Sequence, residues 1–432
     1  MSSFHYIYKC SACGLTWPPE RIEPDRYLCP DCGKWQKQKP LEGALRIEYD
    51  YASLRSRMDR VRFLSLSPGR MWEYPELWPL QATTKTDEAF AGIARSRLES
   101  FALPQNQLGA WELDGARVEF LDDTRNLTGS FKDRASLLVA LKALQLGIRE
   151  ISASSTGNAG TSLAGICARL GLTAHIWVPA AIPQGKLLQL VAYGARVYLV
   201  AGDYDTAFDI GLEMAMKHGW YNRNTGFNPL TIEGKKSAAY DIFLASRGSV
   251  PDMVFIPTGD GVVLAGLHKG FWELRELGLI ETLPRLVAVQ SERGDAVCRY
   301  LRTGKFEYVP ATTIADSISA GAPRNLFMAA HALRETNGIA VAVSDESILA
   351  AQRRIARETG LLVEPAAASS LAGYLKLRAE RIIAADTRSL LLFTGHGLKD
   401  PAALERWAER PPSRTADEWR RLLTDKSAHA CD

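Results

Sequence analysis

The segment Ile151-Ser-Ala-Ser-Ser-Thr-Gly-Asn-Ala-Gly160 joins a short apolar run to a loop of small residues and then to an Ala- and Leu-rich stretch. The apolar run predicts a buried strand, and the stretch after it predicts a helix over 159–170. Hydroxyls, free backbone amides and the positive end of the helix dipole in the loop suit a carboxylate. The segment is therefore predicted to be a strand–loop–helix unit of an α/β fold with an anion site at its turn.

The same alternation continues along the chain. Strands are predicted at 151–153, 174–178, 196–200, 253–256, 286–290, 339–343 and 390–393, and helices at 159–170, 184–193, 204–217, from about 261, and at 345–359. Strands that alternate with helices form parallel sheets covered by helices. Ligands of such sheets lie beyond the carboxyl ends of the strands, so the residues directly after each apolar run are the candidate functional residues.

Two further loops follow predicted strands. Pro257-Thr-Gly-Asp-Gly-Val-Val263 opens a helix and suits a phosphate, because glycines let backbone amides approach an anion closely. Thr394-Gly-His-Gly-Leu-Lys-Asp400 follows the last strand, and the Thr394 hydroxyl can hydrogen-bond a pyridine nitrogen without holding it protonated. His396 is interpreted as a structural histidine, with a catalytic role as the alternative.

Upstream of these loops lies Asn126-Leu-Thr-Gly-Ser-Phe-Lys-Asp-Arg134, which leads into a predicted helix. An amine nucleophile needs rigid flanks and a pocket that lowers its pKa before it can form an imine with an aldehyde. Lys132, between Phe131 and a helix start, has that setting. A lysine at the head of a helix is more often a solvated surface residue, but three loops after parallel strands favour the functional interpretation.

The composition is that of an ordinary globular protein, with 46% hydrophobic and 23% charged residues in a chain of 432. The net charge of +3 is small, and no block of basic residues supports a nucleic-acid or membrane partner. The chain begins without a signal-peptide pattern and has no apolar run long enough for a membrane span. We therefore expect a cytoplasmic protein with a small-molecule substrate.

Four of the seven cysteines form two Cys-x-x-Cys pairs, Cys10 with Cys13 and Cys29 with Cys32. This spacing predicts a ribbon that binds one tetrahedral Zn²⁺ through four thiolates. A site closed by four thiolates has no position for water, so the predicted zinc is structural. Four unmetallated thiols and a nucleic-acid-binding ribbon are the alternatives.

The chain resembles threonine synthase, a family of pyridoxal-phosphate (PLP) enzymes with fold type II. The resemblance covers residues 1 to about 400. Its motifs are the cysteine ribbon with 43–50, Met71-Trp-Glu-Tyr74, Thr128-Gly-Ser-Phe-Lys-Asp-Arg134, Ser155-Thr-Gly-Asn158, Asn228-Pro229 with Glu233-Gly234, Ala315-Asp-Ser-Ile-Ser319, and Thr394-Gly-His-Gly-Leu-Lys-Asp400. It implies an α/β fold of two domains with parallel-rich sheets flanked by helices, plus an N-terminal zinc ribbon.

The resemblance also implies domain boundaries and residue roles. The domains expected are a ribbon over 1–45, a large PLP-binding domain over 46–132 and 221–400, a small inserted domain over 133–220, and a helical tail over 401–432. Lys132 would carry PLP as a Schiff base, with cofactor contacts from Phe131, Asn158, Gly259, Asp260, Gly261, Val262, Val263 and Thr394, and with Glu364 near the pyridine edge. Ser155 and Thr156 would receive the substrate carboxylate, and a homodimer is expected.

Three departures from the family pattern bear on the substrate. Leu98-Glu-Ser-Phe-Ala-Leu-Pro104 stands where the family has a Gly-rich Thr-Pro segment, and Leu127 replaces a proline. Thr231 stands where an arginine commonly binds the substrate phosphate, and threonine has neither the charge nor the fork geometry for a dianion. Arg223 or Arg324 is the predicted replacement.

The activity implied is that of a lyase in amino-acid biosynthesis. Lys132 would exchange with the amino group of the substrate and remove its α proton, a β or γ leaving group would depart, and a nucleophile would add. In threonine synthase the substrate is O-phosphohomoserine and the nucleophile is water. The alternatives are β-replacement on O-phosphoserine, as in cysteate synthase, dehydration of serine or threonine, and a non-catalytic binding protein with the same fold.

Overall fold

The computed structural model describes residues 5–80, 89–90, 93–104, 107–155, 157–384 and 386–424. In chain order the strands are β1 (Tyr6–Cys10), β2 (Thr16–Trp17), β3 (Leu45–Tyr49), β4 (Ala89–Phe90), β5 (Ile93–Ala94), β6 (Leu108–Leu113), β7 (Ala116–Asp122), β8 (Glu150–Ser154), β9 (Thr173–Pro179), β10 (Arg196–Val200), β11 (Tyr221–Asn222), β12 (Met253–Pro257), β13 (Arg285–Ser291), β14 (Ile339–Val343) and β15 (Ser389–Phe393). The α-helices are α1 (Tyr51–Arg57), α2 (Arg60–Leu64), α3 (Arg95–Glu99), α4 (Lys132–Gln145), α5 (Asn158–Leu170), α6 (Gln184–Ala192), α7 (Tyr204–His218), α8 (Leu230–Ala245), α9 (Val262–Glu276), α10 (Ala296–Thr303), α11 (Leu326–Glu335), α12 (Asp345–Thr359), α13 (Pro365–Ala379), α14 (Pro401–Leu404) and α15 (Ala416–Thr424).

Two sheets carry the fold. The larger has six strands in the order β14-β13-β12-β15-β7-β6, parallel except for the antiparallel pair of β6 and β7. The smaller has four parallel strands in the order β10-β9-β8-β11. Every strand predicted from an apolar run is present, and the predicted α/β fold with parallel-rich sheets and flanking helices is confirmed.

The central strands are buried along their whole length because helices cover both faces of the sheets. Every residue of β12 and of β15 is buried, as expected for parallel strands in an α/β protein. Helix α8 is buried almost throughout, since α4 and α9 pack against it. These helices fix the positions of the segments that follow β8, β12 and β15.

The two sheets come from different parts of the chain. The smaller sheet is built from 150–222, and the larger from 108–122 and 253–393. This separation supports a small domain inserted into a larger one, while the boundaries proposed above stay predictions. After residue 401 only α14 and the exposed α15 are formed in the described part, which agrees with a peripheral tail.

The N-terminal segment packs closely against the rest of the chain. Strands β1, β2 and β3 form an antiparallel sheet, and β3 continues the ribbon to Tyr49, beyond the predicted end at residue 45. The Tyr49 hydroxyl donates to Glu233 Oε2 on α8 at 2.8 Å. Lys142 Nζ on α4 lies 2.7 Å from Glu23 Oε2 of the ribbon. Buried polar contacts therefore attach the ribbon to two helices of the main body.

Within the part of the chain described above, none of the helices has the length and apolar character needed to cross a membrane.

Candidate active site

A cleft opens beyond the carboxyl ends of strands from both sheets. It is lined by the loop after β8, the turn after β12, the segment 316–320 and the end of β15. Lys132, the first residue of α4, lies in the same cleft. Of the residues predicted from the sequence, the cleft brings together Lys132, Ser155, Asn158, Gly259, Asp260, Gly261, Val262, Val263 and Thr394.

Backbone hydrogen bonds hold the start of α4 against the loop that follows β15. The Phe131 N–H donates to the Thr394 carbonyl at 2.9 Å, and the His396 N–H donates to the Gly129 carbonyl at 3.0 Å. Gly129 has a φ of 77°, a conformation that costs a residue with a side chain more than it costs glycine. Phe131 is fully buried behind Lys132 and is absent from the cleft lining. Its predicted contact with the cofactor stays a prediction.

The environment of Lys132 favours the neutral amine. Burial lowers the pKa of Lys132 to about 8, and the positive charge of Arg223 lowers it further, while Glu364 and Asp260 oppose the shift. A neutral amine is the form that attacks an aldehyde. At neutral pH a substantial fraction of Lys132 is therefore ready to react, which an ordinary surface lysine is not.

The loop between β8 and α5 turns sharply above the cleft. The Ser155 N–H donates to the Trp177 carbonyl at 3.0 Å, and its hydroxyl accepts from the Gly157 N–H at 2.9 Å. Gly157 has a φ of 139°, and a Cβ at this position would lie 2.1 Å from Lys186 Cδ. Only glycine is compatible with this turn. Thr156, predicted to bind the substrate carboxylate, lies outside the described residues.

Asn158 begins α5 and belongs to a buried polar network. Its Nδ2 donates to Glu364 Oε2 at 2.5 Å, and Lys186 Nζ lies 2.7 Å from Glu364 Oε1 and 2.6 Å from Asp316 Oδ2. Burial alone would raise the pKa of Glu364, but the nearby Lys186 and Lys399 hold it below its ordinary value. The Oδ1 atom of Asn158 is buried without a hydrogen-bond partner among the described residues. Asn158 thus has a polar atom left for a bound molecule.

The turn after β12 has the form of an anion site. Gly261 has a φ of 81° and precedes α9, whose 15 residues place a positive dipole end at the cleft. A Cβ on Gly259 would lie 2.8 Å from Ile318 Cα, so the main chains approach each other closely here. The side chain of Asp260 is already used, because its oxygens accept from the Tyr204 hydroxyl at 2.9 Å and the Arg324 N–H at 3.2 Å.

The two arginines predicted to replace the missing phosphate ligand differ in their surroundings. Arg324 is fully buried, with Nη2 2.8 Å from Asp205 Oδ1, and it does not line the cleft. Arg223 is also buried, and its Nη1 donates at 2.6 Å to the hydroxyl of Thr225, which lines the cleft. Arg223 therefore lies directly behind the cleft wall, whereas Arg324 is held by a carboxylate. Substrate binding by either arginine stays a prediction.

Four polar residues around the cleft had no role in the sequence-based prediction. They are Lys186, Tyr204, Asp316 and Ser317. Asp316 and Ser317 belong to a motif of the family resemblance, which could have identified them as site residues. Lys186 pairs with a carboxylate 130 positions away along the chain, and no local pattern announces that contact.

The four predicted zinc ligands meet at one point of the ribbon. The thiol sulfurs of Cys10, Cys13, Cys29 and Cys32 all lie within 4.8 Å of one another. Cys10 Sγ is 3.4 Å from Cys32 Sγ, and Cys13 Sγ is 3.7 Å from Cys29 Sγ. Tetrahedral zinc with Zn–S bonds of about 2.3 Å separates its sulfurs by roughly 3.8 Å. The cluster therefore has the geometry of a metal site.

Comparisons with known proteins agree with this geometry. The family model "Pyridoxal-phosphate dependent enzyme" matches residues 104–395. The threonine synthase of Methanocaldococcus jannaschii is 34% identical over 410 residues, covering 94% of this chain and 96% of the relative. The threonine synthase of Methanosarcina acetivorans is 31% identical over 410 residues, covering 94% and 95%. A crystal structure of threonine deaminase from the organism abbreviated T.th. has a TM-score of 0.56 and 26% identity, covering 69% of this chain and 90% of that one.

The match in sequence extends over the cleft, and the match in structure extends over both sheets that form it. The relatives of highest coverage also span the N-terminal segment that holds the four thiols. This chain therefore belongs to the family of pyridoxal-phosphate dependent enzymes and is threonine synthase-like over most of its length.

Proposed function

We propose that this chain catalyses a PLP-dependent elimination or replacement on an amino acid, with the conversion of O-phosphohomoserine and water to threonine and phosphate as the leading reaction. The observation that carries the proposal is the placement of the Lys132 amine, with its lowered pKa, among Ser155, Asn158 and the Gly259–Val263 turn. The relatives named threonine synthase support the choice of reaction.

The residues of the cleft fit PLP. Lys132 supplies an amine for its aldehyde, and the glycine turn before α9 supplies amides and a dipole end for its phosphate. Asn158, with a polar atom that lacks a partner among the described residues, would face the ring oxygen, and Thr394 would face the ring nitrogen. When bound, the cofactor supplies the electron sink that stabilises a carbanion at the substrate α carbon.

The chain itself would bind the substrate and move its protons. Ser155 and the first amides of α5 would hold the substrate carboxylate, because an anion is favoured at the start of a 13-residue helix. That grip would direct the α carbon toward Lys132 Nζ. The neutral amine of Lys132 would then accept the α proton. Thr394, a hydroxyl rather than a carboxylate, would leave the cofactor a weaker electron sink, which suits elimination better than transamination.

A second reaction is favoured by one observation. Thr231 stands where an arginine is expected, and its hydroxyl is already used, since it donates to the Asn228 carbonyl at 2.7 Å. A pocket without a strong phosphate ligand at this position suits a related lyase, such as one that replaces the β substituent of O-phosphoserine or dehydrates serine or threonine. An intact Lys132 in a formed cleft argues against a non-catalytic binding protein.

A substrate panel separates these reactions. Purified protein loaded with PLP would be assayed for phosphate and keto-acid release from O-phosphohomoserine, O-phosphoserine, serine and threonine. Phosphate together with threonine from O-phosphohomoserine supports the leading proposal. Absence of turnover with O-phosphohomoserine, together with turnover of another member, would replace it with the related lyase.

Capture of PLP by the apo-protein is expected to depend on pH in the manner of an amine with a pKa of about 8. The amine reacts only when unprotonated, so the rate of capture should rise as the pH increases through about 8 and level off above it. The rise in visible absorbance after mixing apo-protein with PLP, measured from about pH 6 to about pH 10.5, the ordinary range for lysine, checks this. A midpoint near the ordinary value for lysine would show that burial does not activate Lys132.

We propose that the thiol cluster binds one structural Zn²⁺. Removal of the metal is expected to lower the Tm by several degrees, because the ribbon packs against α4 and α8. Metal analysis and thermal unfolding of the parent, of Cys13→Ser and of the matched control Cys298→Ser check this. Cys298 lies outside the cluster, so only Cys13→Ser should lose zinc. Full zinc content in Cys13→Ser would exclude the site.

We also propose that the chain forms a homodimer. Its mass in solution, measured by light scattering on the purified protein, tests this directly.

A further inference from the structure

Behind the cleft wall lies a group of buried cations with unpartnered polar atoms. Lys235, on α8, is fully buried, and its Nζ has no hydrogen-bond partner among the described residues. Arg223 is fully buried as well. Its Nε donates to the Ser136 hydroxyl at 3.0 Å and its Nη1 to Thr225, but its Nη2 lacks a partner in the same part of the chain. Unpaired cations in an interior are costly, so their presence calls for an explanation.

The charges near this group do not neutralise it. Burial lowers the pKa of Lys235 well below its ordinary value, the charges of Arg223 and Lys132 lower it further, and Asp260 opposes them. The Asp260 carboxylate already accepts from Tyr204 and Arg324. Three cationic side chains thus lie close together with one shared carboxylate, and an anion that entered would meet a strongly favourable field.

The position of Lys235 on α8 links the group to the missing arginine. Thr231 and Lys235 are four residues apart, so they lie on the same face of the helix. A Cβ on Gly266 would lie 2.6 Å from Lys235 Cβ, which places Lys235 against the start of α9, beyond the glycine turn. A cation absent at 231 is therefore present one helical turn further along the same face.

We propose that Lys235 and Arg223 together form a buried anion site that recognises the phosphate leaving group of the substrate. This rests on the proposed function and specifies its substrate class, an amino acid with a phosphate on its side chain. Arg223 reaches the cleft through Thr225. Direct contact with Lys235 requires the Thr225 wall or the Lys132 side chain to shift, while its charge acts on the cleft without movement because the interior screens charges weakly.

The same chemistry could serve the phosphate of PLP, and binding of a free anion separates the two. Inorganic phosphate would be titrated into the PLP-loaded parent, Lys235→Met and Lys235→Arg, and PLP affinity would be measured for each. We expect Lys235→Met to weaken phosphate binding about tenfold or more with PLP affinity unchanged, and Lys235→Arg to retain most of it. Loss of PLP affinity instead would assign the cation to the cofactor and overturn the proposal.

Two further readouts exclude a purely structural role for Lys235. Removing an unpaired buried cation should leave the apo-protein at least as stable as the parent. Lys236→Met, the matched control on the same helix, should be destabilised, because Lys236 is buried and paired with Glu233 at 2.6 Å. Lys235→Met should also raise KM for the phosphorylated members of the panel and leave serine and threonine unaffected.

The proposal and the proposed function fail in different ways. Phosphate binding that depends on Lys235, in a protein that turns over no member of the panel, would keep the anion site and reject the reaction. Turnover of O-phosphohomoserine with unchanged phosphate affinity and unchanged KM in Lys235→Met would keep the reaction and reject the site.

Discussion

Replacement of Lys132 by alanine is expected to abolish the yellow colour of the PLP-loaded protein and to reduce turnover by a factor on the order of 10⁴ or more. Lys132 is the amine that faces the cleft at the start of α4, with a pKa lowered to about 8. Without it the cofactor aldehyde has no partner there, and the α proton of the substrate has no acceptor. Visible spectra and steady-state assays on the best member of the substrate panel measure both effects.

Two controls separate this role from damage to the fold. Lys217→Ala removes an exposed lysine from α7 and should keep both colour and activity. Small primary amines added to Lys132→Ala should restore part of the turnover, because they can accept the proton that Lys132 no longer accepts. A yellow, active Lys132→Ala protein with native circular dichroism would reject Lys132 as the catalytic amine.

The strands from β8 onward could be predicted from the sequence because their burial is complete. A strand covered on both faces, such as β12 or β15, is a continuous apolar run bounded by turn residues, and that signal is local. Strands β6 and β7 were missed. Arg117 and Glu119 interrupt the apolar residues of β7, and the segment before it contains weak periodicity. The partners that make β7 a sheet strand are distant in sequence.

The loops of the cleft could be predicted for a related reason, since topology alone brings the ends of parallel strands together. The polar network around them could not. Lys186, on a helix of the smaller sheet, pairs with Asp316 and with Glu364, which are far away along the chain. The lack of a partner for Lys235 in the described part of the chain is likewise a property of tertiary packing. Sequence patterns identified the residues that meet the ligand, whereas the residues that set their charge emerged only in the structure.

Replacement of Arg134 by methionine is expected to destabilise the protein by about 3–5 kcal/mol, the usual effect of breaking a buried ion pair from one side. Arg134 is two residues after Lys132 and is 1% exposed. Its Nε lies 2.7 Å from Asp123 Oδ2, its Nη2 donates to Asp123 Oδ1 at 2.9 Å, and its Nη1 pairs with Asp241. Burial already raises the pKa of Asp241, and Arg134 is the charge that opposes this.

The arginine joins three parts of the structure, because Asp123 follows β7, Asp241 lies on α8, and the Asp241 Oδ1 atom accepts from the Gly69 N–H at 2.7 Å. Arg134→Met would leave two buried carboxylates without a counter-charge, whereas Arg134→Lys would keep the charge and lose the fork, so an intermediate loss is expected. Urea unfolding measures these differences, with Arg420→Met as a control whose exposed pair with Asp417 should matter little. If Arg134→Met were as stable as the parent, the start of α4 would be positioned by backbone hydrogen bonds and packing alone, and the buried pairs would contribute nothing net to stability.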